Sequence, residues 1–269
     1  MELAELARHW DAFGRSDPLW AILTAPGTRG NRWDPAAFFQ TGQREITELL
    51  RTLDELGLPP PRGAALDFGC GVGRLSQALA GHFERVVGVD IAASMIDRAR
   101  AANRYGTRVR YVQNERDDLA CLPDSEFGLI YSNIVLQHME PRFARAYIGE
   151  FLRVLSPAGV ICFQLPERRA ASPVSASRSA PPTAKTATPS GHAERDENAI
   201  GDDWQPRMEM WGTPPQEVQR WIHARGGLLV SRLQDSGAGP DWIGHRYVVT
   251  HAAHPRHAQI STATPSTTR

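Results

Sequence analysis

Leu66-Asp67-Phe68-Gly69-Cys70-Gly71-Val72-Gly73-Arg74-Leu75 joins an apolar run to a helical pattern through three glycines. A short apolar run, Ala64–Phe68, stops at glycines, and a helical pattern takes over at residues 74–83. Glycine at a strand-to-helix turn lets the chain bend tightly and lets a ligand come close to main-chain N–H groups. The spacing here is GxGxG. A nicotinamide-binding turn calls for GxGxxG, and Arg74 stands where its last glycine would be. Asp90 follows 17 residues after Gly73, at the end of a second short β-branched run, Arg85–Val89. A carboxylate at that strand end can accept from both hydroxyls of a ribose. A glycine turn with a purely structural purpose does not call for an acid in that register.

Residues 2–13 and 36–56 carry helical patterns, the second with Phe39, Ile46, Leu49, Leu50 and Leu53 at helical spacing. Residues 93–104 and about 142–155 are helical again, and Val109–Gln113, Phe127–Ser132 and Val160–Leu165 read as strands. Past a polar stretch, Thr213 is placed as an N-cap with Pro214 at the first helical position and Gln216 completing a capping box. That helix runs to about Arg225 and stops at Gly226-Gly227; Leu228–Leu233 and Arg246–Thr250 are the last two strands. Their link is too short for a crossover helix, so this pair is expected to be antiparallel. The alternation predicts an α/β fold, a doubly wound, mostly parallel seven-stranded sheet with an antiparallel last strand and an N-terminal helical cap.

Composition narrows the function classes. The chain has 269 residues, with 30 Lys plus Arg against 30 Asp plus Glu, which argues against a nucleic-acid binder that relies on bulk positive charge. No apolar run approaches the length of a membrane span, and the first residues lack a signal-peptide core. Three widely spaced cysteines without a CxxC fit neither a disulfide framework nor a zinc site, so no metal and a cytoplasmic setting are expected. Residues 170–190 are Ala, Ser, Pro or Thr except Val174, Arg178 and Lys185, a composition that cannot bury enough apolar surface to offset its ordering entropy. The expected organisation is a helical cap or lid over 1–60, a core over 61–166 and 204–251, a disordered insertion over 167–203 and a disordered tail over 252–269.

The chain resembles the class I S-adenosylmethionine-dependent methyltransferases, over roughly residues 64–166 and more loosely over 213–250. LDFGCGVGRL is similar to the family's first motif and VVGVDIAASMIDRAR to its second. YVQNERDDLACLPDSEFGLIYSNIVLQHM resembles the stretch from the third strand through the fourth, and FLRVLSPAGVICFQLP the turn and fifth strand. The resemblance implies a Rossmann-like fold and S-adenosylmethionine as cofactor. It implies that Gly69, Gly71 and Gly73, with Cys70 between them, pass under the methionine and ribose portion, and that Asp67 helps to hold the amino end. Asp90 would bind the ribose; Ile91 and Met95 would cover the adenine. Glu115 would accept from the adenine amino group, with Asp118 a competing choice, and Arg116 would offer its backbone N–H. Ser132 and Asn133 would face the sulfonium. Two departures stand out: Phe127-Gly128 where the family usually has Phe-Asp, and Ala158 in place of one of two glycines.

Methyl transfer from a sulfonium is an in-line displacement, and a base is needed only if the acceptor must lose a proton. His138, just past the fourth strand, is the candidate base; the competing reading is a histidine that packs or caps. Two aromatic stretches, Asp17 to Phe39 and Trp204 to Trp211, suggest an acceptor pocket involving Trp33, Phe38 and Trp211 under an N-terminal lid; alternatively, these rings simply pack the helices on the sheet. The expected activity is methylation, on oxygen, of a small-molecule or glycan acceptor, with no nucleic acid and no membrane span. The alternatives are a nicotinamide-dependent oxidoreductase, which the GxGxG spacing opposes, and a non-catalytic binding module.

Overall fold

The structure is a computed structural model that describes residues 1–170 and 204–256. Ala64–Phe68 (β1), Arg85–Asp90 (β2), Val109–Gln113 (β3), Phe127–Ser132 (β4) and Leu155–Arg169 (β5) run parallel. Gly227–Asp235 (β6) and Trp242–His251 (β7) complete a seven-stranded sheet in the order β3-β2-β1-β4-β5-β7-β6. As the short link requires, β7 is antiparallel to β6, and it is antiparallel to β5 as well. Every residue of β1 and of β4 is buried, the pattern of strands covered on both faces.

The pleat divides those strands between two cores. Leu66 and Phe68 face Pro141–Val154 (α6) and Pro215–His223 (α7), through Tyr147, Phe151, Val218 and Ile222. Ala65 faces Pro35–Glu55 (α3), Arg74–Leu79 (α4) and Ala93–Ala102 (α5), through Ile46, Leu53, Leu79 and Ile96. Asp34 caps α3 by accepting from the Ala37 N–H at 2.7 Å, with Pro35 at the first position, and the stripe Phe38, Gly42, Ile46, Leu49, Leu53 is buried. At Gly42 a Cβ would lie 2.6 Å from the Arg74 carbonyl oxygen, so α3 rests directly on α4. Leu3–Ser16 (α1) and the single turn Pro18–Ile22 (α2) come first in the chain. α2 is too short to show a periodicity and has no counterpart in the sequence reading.

Two expectations change. β5 extends to Arg169, because Arg168 and Arg169 pair with Ile243 and Trp242 of β7, so residues 167–169 belong to the sheet and not to the insertion. Ala170 is tied on as well, its N–H bonding to the Asp241 carbonyl. Residues 171–203 and 257–269, where the remainder of the insertion and most of the tail fall, lie outside the described residues. The capping box at Thr213 is not formed: α7 starts at Pro215 with Pro214 as its cap and no side-chain bond. Thr213 is instead 1% exposed, anchored by its own N–H on the Pro166 carbonyl. Of the two departures from the family pattern, Ala158 is absent from the positive-φ residues, so the lost glycine costs nothing. Gly128 is required where it stands, since a Cβ there would meet the Pro61 carbonyl oxygen at 2.1 Å.

Candidate functional site

The glycine loop crosses from β1 to β2. Gly69 and Cys70 both donate their N–H to the Val89 carbonyl, at 2.7 and 3.0 Å. Gly69, Gly71 and Gly73 all have left-handed backbones (φ 77, 52 and 84). A Cβ at Gly69 would strike Val135 at 2.2 Å, and one at Gly71 would strike Ile22 at 2.5 Å. The Asp90 carboxylate bolts the loop down: Oδ2 accepts from the Gly71 N–H at 2.8 Å and Oδ1 from the Ala92 N–H at 2.9 Å. Burial pushes this carboxyl above the usual range, opposed by the N–H groups of Ala92, Gly71 and Ile91.

These groups open on a pocket at the carboxyl ends of β1, β2 and β4. Ligands of open α/β sheets bind at such a position. Among the residues singled out from sequence, Gly69, Cys70, Gly71, Asp90, Ile91, Met95, Asn133 and His138 line it. Leu3, Leu6 and Trp10 of α1 form part of its wall. Across α1, His9 stacks on Trp204 at 5.1 Å, and the Arg207 N–H donates to His9 Nδ1.

The other candidates lie elsewhere. Asp67 is fully buried beneath the loop, where Ser76 Oγ donates to it at 2.5 Å. Burial lifts its carboxyl to about 7, against the pull of Ser76 and Arg74. Gly73 caps α4 and lies under the Tyr111 hydroxyl. Ser132 is buried, and Glu115 and Arg116 are exposed, the former bonded to Gln113 and the latter paired with Asp118 at 2.7 Å. Phe38 is fully buried, with Trp33 against it at 5.7 Å and the Trp33 indole donating to the Leu23 carbonyl. Trp211 hangs by its N–H on the Gln137 carbonyl.

Asn114, absent from the sequence reading, lines the cavity in place of Glu115. It is buried and donates to the carbonyls of Arg116 and Asp118, so it shapes the turn after β3. The available signal was its place as the first residue past a strand's carboxyl end. Ile134, also on the wall, has φ 59, a left-handed conformation that costs a β-branched residue about 1–3 kcal/mol.

His138 sits in the turn Leu136–His138, 6% exposed, with Trp10 edge-on at 5.0 Å. Its Nδ1 lies 2.8 Å from the Glu209 carbonyl, which can only accept, so the proton is on Nδ1. Nε2 keeps the lone pair and lies 3.2 Å from the Gln137 amide nitrogen. Burial lowers this imidazole to about 4. The unfolded chain therefore takes up the proton first, and the stability His138 confers is complete above about pH 6.5 and lost as pH falls towards 4. An asparagine side chain in its place would keep a donor for Glu209 without titrating. His138→Asn is expected to shrink the loss of unfolding free energy between pH 7.5 and 4.5 by about 2–3 kcal/mol relative to wild type, read by urea denaturation. Identical pH profiles would contradict this burial of a neutral ring.

Comparison with known proteins finds methyltransferases. A family model described as a methyltransferase domain matches residues 65–159. Over that stretch the chain is similar to methyltransferase domains, and the relatives it matches are methyltransferases. It is 32% identical over 145 residues to malonyl-[acyl-carrier protein] O-methyltransferase of Yersinia pestis, covering 53% of this chain and 49% of that protein. It is 31% identical over 170 residues to trans-aconitate 2-methyltransferase of Variovorax paradoxus, covering 61% of each. The chain thus spans about half to three-fifths of the length of these curated relatives. The fold of magnesium protoporphyrin IX methyltransferase from Synechocystis PCC 6803, solved with bound S-adenosylmethionine, superposes with a TM-score of 0.58 at 14% identity, over 93% of this chain and 96% of that one.

The chain's own atoms fit that cofactor. The glycine loop presents bare backbone on the cavity wall at Gly69 and Gly71, where a Cβ would run into Val135 or Ile22. Asp90 presents a carboxylate at a strand end, and Ile91 and Met95 offer apolar surface beside it. Asn133 places a buried Oδ1 on the wall without a partner among the described residues.

Proposed function

We propose that the chain transfers the methyl group of S-adenosylmethionine to an oxygen of a small acceptor. The observation that carries this reading is the glycine loop bolted by Asp90 at the floor of the cavity. When bound, the cofactor supplies an electrophilic methyl on sulfur. The chain's part is to hold the acceptor in line and keep water out. Leu3, Leu6 and Trp10 on α1 supply the apolar wall, and α1 is the lid in this reading.

His138 favours an acceptor oxygen that is already anionic. A nitrogen held near 4 is a weak base at neutral pH, whereas general-base catalysis works best with a pKa near the operating pH. A carboxylate needs no base, and His138 then orients the turn through Glu209. Two curated relatives, named for malonyl-[acyl-carrier protein] and for trans-aconitate, support a carboxyl-bearing acceptor.

Thermal unfolding with S-adenosylmethionine, its demethylated product and NAD(H) side by side tests the cofactor. At 100 times its Kd a ligand stabilises by about 2.7 kcal/mol, and that shift is expected with the first two alone. A shift with NAD(H) only would overturn the reading. Methyl-labelled cofactor offered to small carboxylates and to glycan hydroxyls then decides the acceptor; label on the hydroxyls and none on the carboxylates would refute the carboxylate assignment.

A further inference from the structure

A single carboxylate of α3 reaches three groups of the sheet and the glycine-loop helix. Glu45 Oε1 accepts from the Tyr131 hydroxyl at 2.9 Å and from Asn133 Nδ2 at 2.7 Å. Its Oε2 accepts from Arg74 Nη1 at 2.8 Å. Tyr131 is fully buried and Arg74 is 3% exposed. Arg74 and Asn133 both line the cavity, and Arg74 is the one arginine or lysine on its wall among the described residues. Gly42, one turn before Glu45, lets α3 lie close enough on α4 for this reach.

A carboxylate only accepts, so it fixes which end of the Asn133 amide faces it. Nδ2 is committed to Glu45, and Oδ1 remains a buried acceptor with no partner among the described residues. Arg74 Nε is likewise buried and unpartnered there. A buried polar group left unpaired is costly, and a ligand that pairs it recovers that cost. A matched acceptor and cation on one wall suit a ligand end that carries both an ammonium and a carboxylate.

We propose that Glu45 is a positioning residue for the amino-acid end of the cofactor. It presents Asn133 Oδ1 to the ammonium and the Arg74 guanidinium to the carboxylate, and so makes recognition of that end depend on how α3 is seated. The inference rests on the cofactor reading above.

S-adenosylhomocysteine carries the amino-acid end, and 5′-methylthioadenosine keeps the adenine, ribose and sulfur without it. Calorimetric titration of the full chain with both ligands isolates the contribution of Glu45. Glu45→Gln is expected to raise the Kd for S-adenosylhomocysteine about tenfold or more and to leave that for 5′-methylthioadenosine within about twofold. A general structural role would weaken both ligands alike. Equal losses, or no loss, would overturn the proposal. Should Glu45→Gln not fold, Asn133→Ala carries the same expected split and the same refutation. Wild-type protein that binds neither ligand would overturn the cofactor reading itself, and the proposal with it.

Discussion

Replacing Asp90 with alanine is expected to raise the Kd for S-adenosylmethionine at least about hundredfold while the chain stays folded. The two oxygens of this carboxylate hold the N–H groups of two different turns, at Gly71 and at Ala92. Bonds to a charged acceptor are worth about 1.5–3 kcal/mol each, and about 1.4 kcal/mol is a factor of ten in affinity. Without them the left-handed glycine loop is no longer set before the ligand arrives, and the ribose carboxylate is gone as well. Asp90 ends a strand and is half-buried, so the sheet does not depend on it. Asp90→Asn keeps one acceptor but turns an amide N–H towards the other backbone donor, and its affinity should lie between the two. Calorimetry on folded variants reads the result; unchanged affinity for Asp90→Ala would mean that the cofactor's ribose sits elsewhere.

Gly128→Asp, which restores the residue usual in the family, is expected to cost more than about 4 kcal/mol or to yield no folded protein. The added Cβ would lie 2.1 Å from the Pro61 carbonyl oxygen and 2.9 Å from its carbon, both backbone atoms. That segment cannot step aside, because the Arg62 and Gly63 carbonyls accept from the Glu84 and Arg85 N–H groups at the start of β2. Overpacking alone costs about 1–3 kcal/mol, and a charge buried in a strand without a partner adds to it. Gly128→Ala carries the steric part only and should fall in that lower range. Urea midpoints of the two variants separate the contributions; a Gly128→Asp protein within about 1 kcal/mol of wild type would show that the Pro61 segment yields.

Much of the fold was legible from short stretches. Ala64–Phe68, Val109–Gln113 and Phe127–Ser132 have the same bounds in sequence and structure, because their apolar runs end sharply at glycine or polar residues. β5 runs past its apolar stretch because its last residues, Glu167 to Arg169, are polar and become a strand only through β7. Thr213 resembled a cap by local chemistry, but its backbone was needed at Pro166. The aromatic residues Trp33 and Phe38 stand out in the sequence, yet both are used in packing around α3 and neither lines the cavity.

Local pattern alone sets the succession of strands and longer helices, the glycine loop and the acid that answers it, since each depends on residues close together or on a fixed spacing along one β-α-β unit. The packing of these elements on one another sets that Asn114 rather than Glu115 faces the cavity, that His138 is a buried neutral ring, that Gly128 answers to Pro61, and that Glu45 meets Arg74 and Asn133. Those contacts join residues far apart in the chain, and their geometry follows from how α3 and α1 pack on the sheet, which no local pattern encodes.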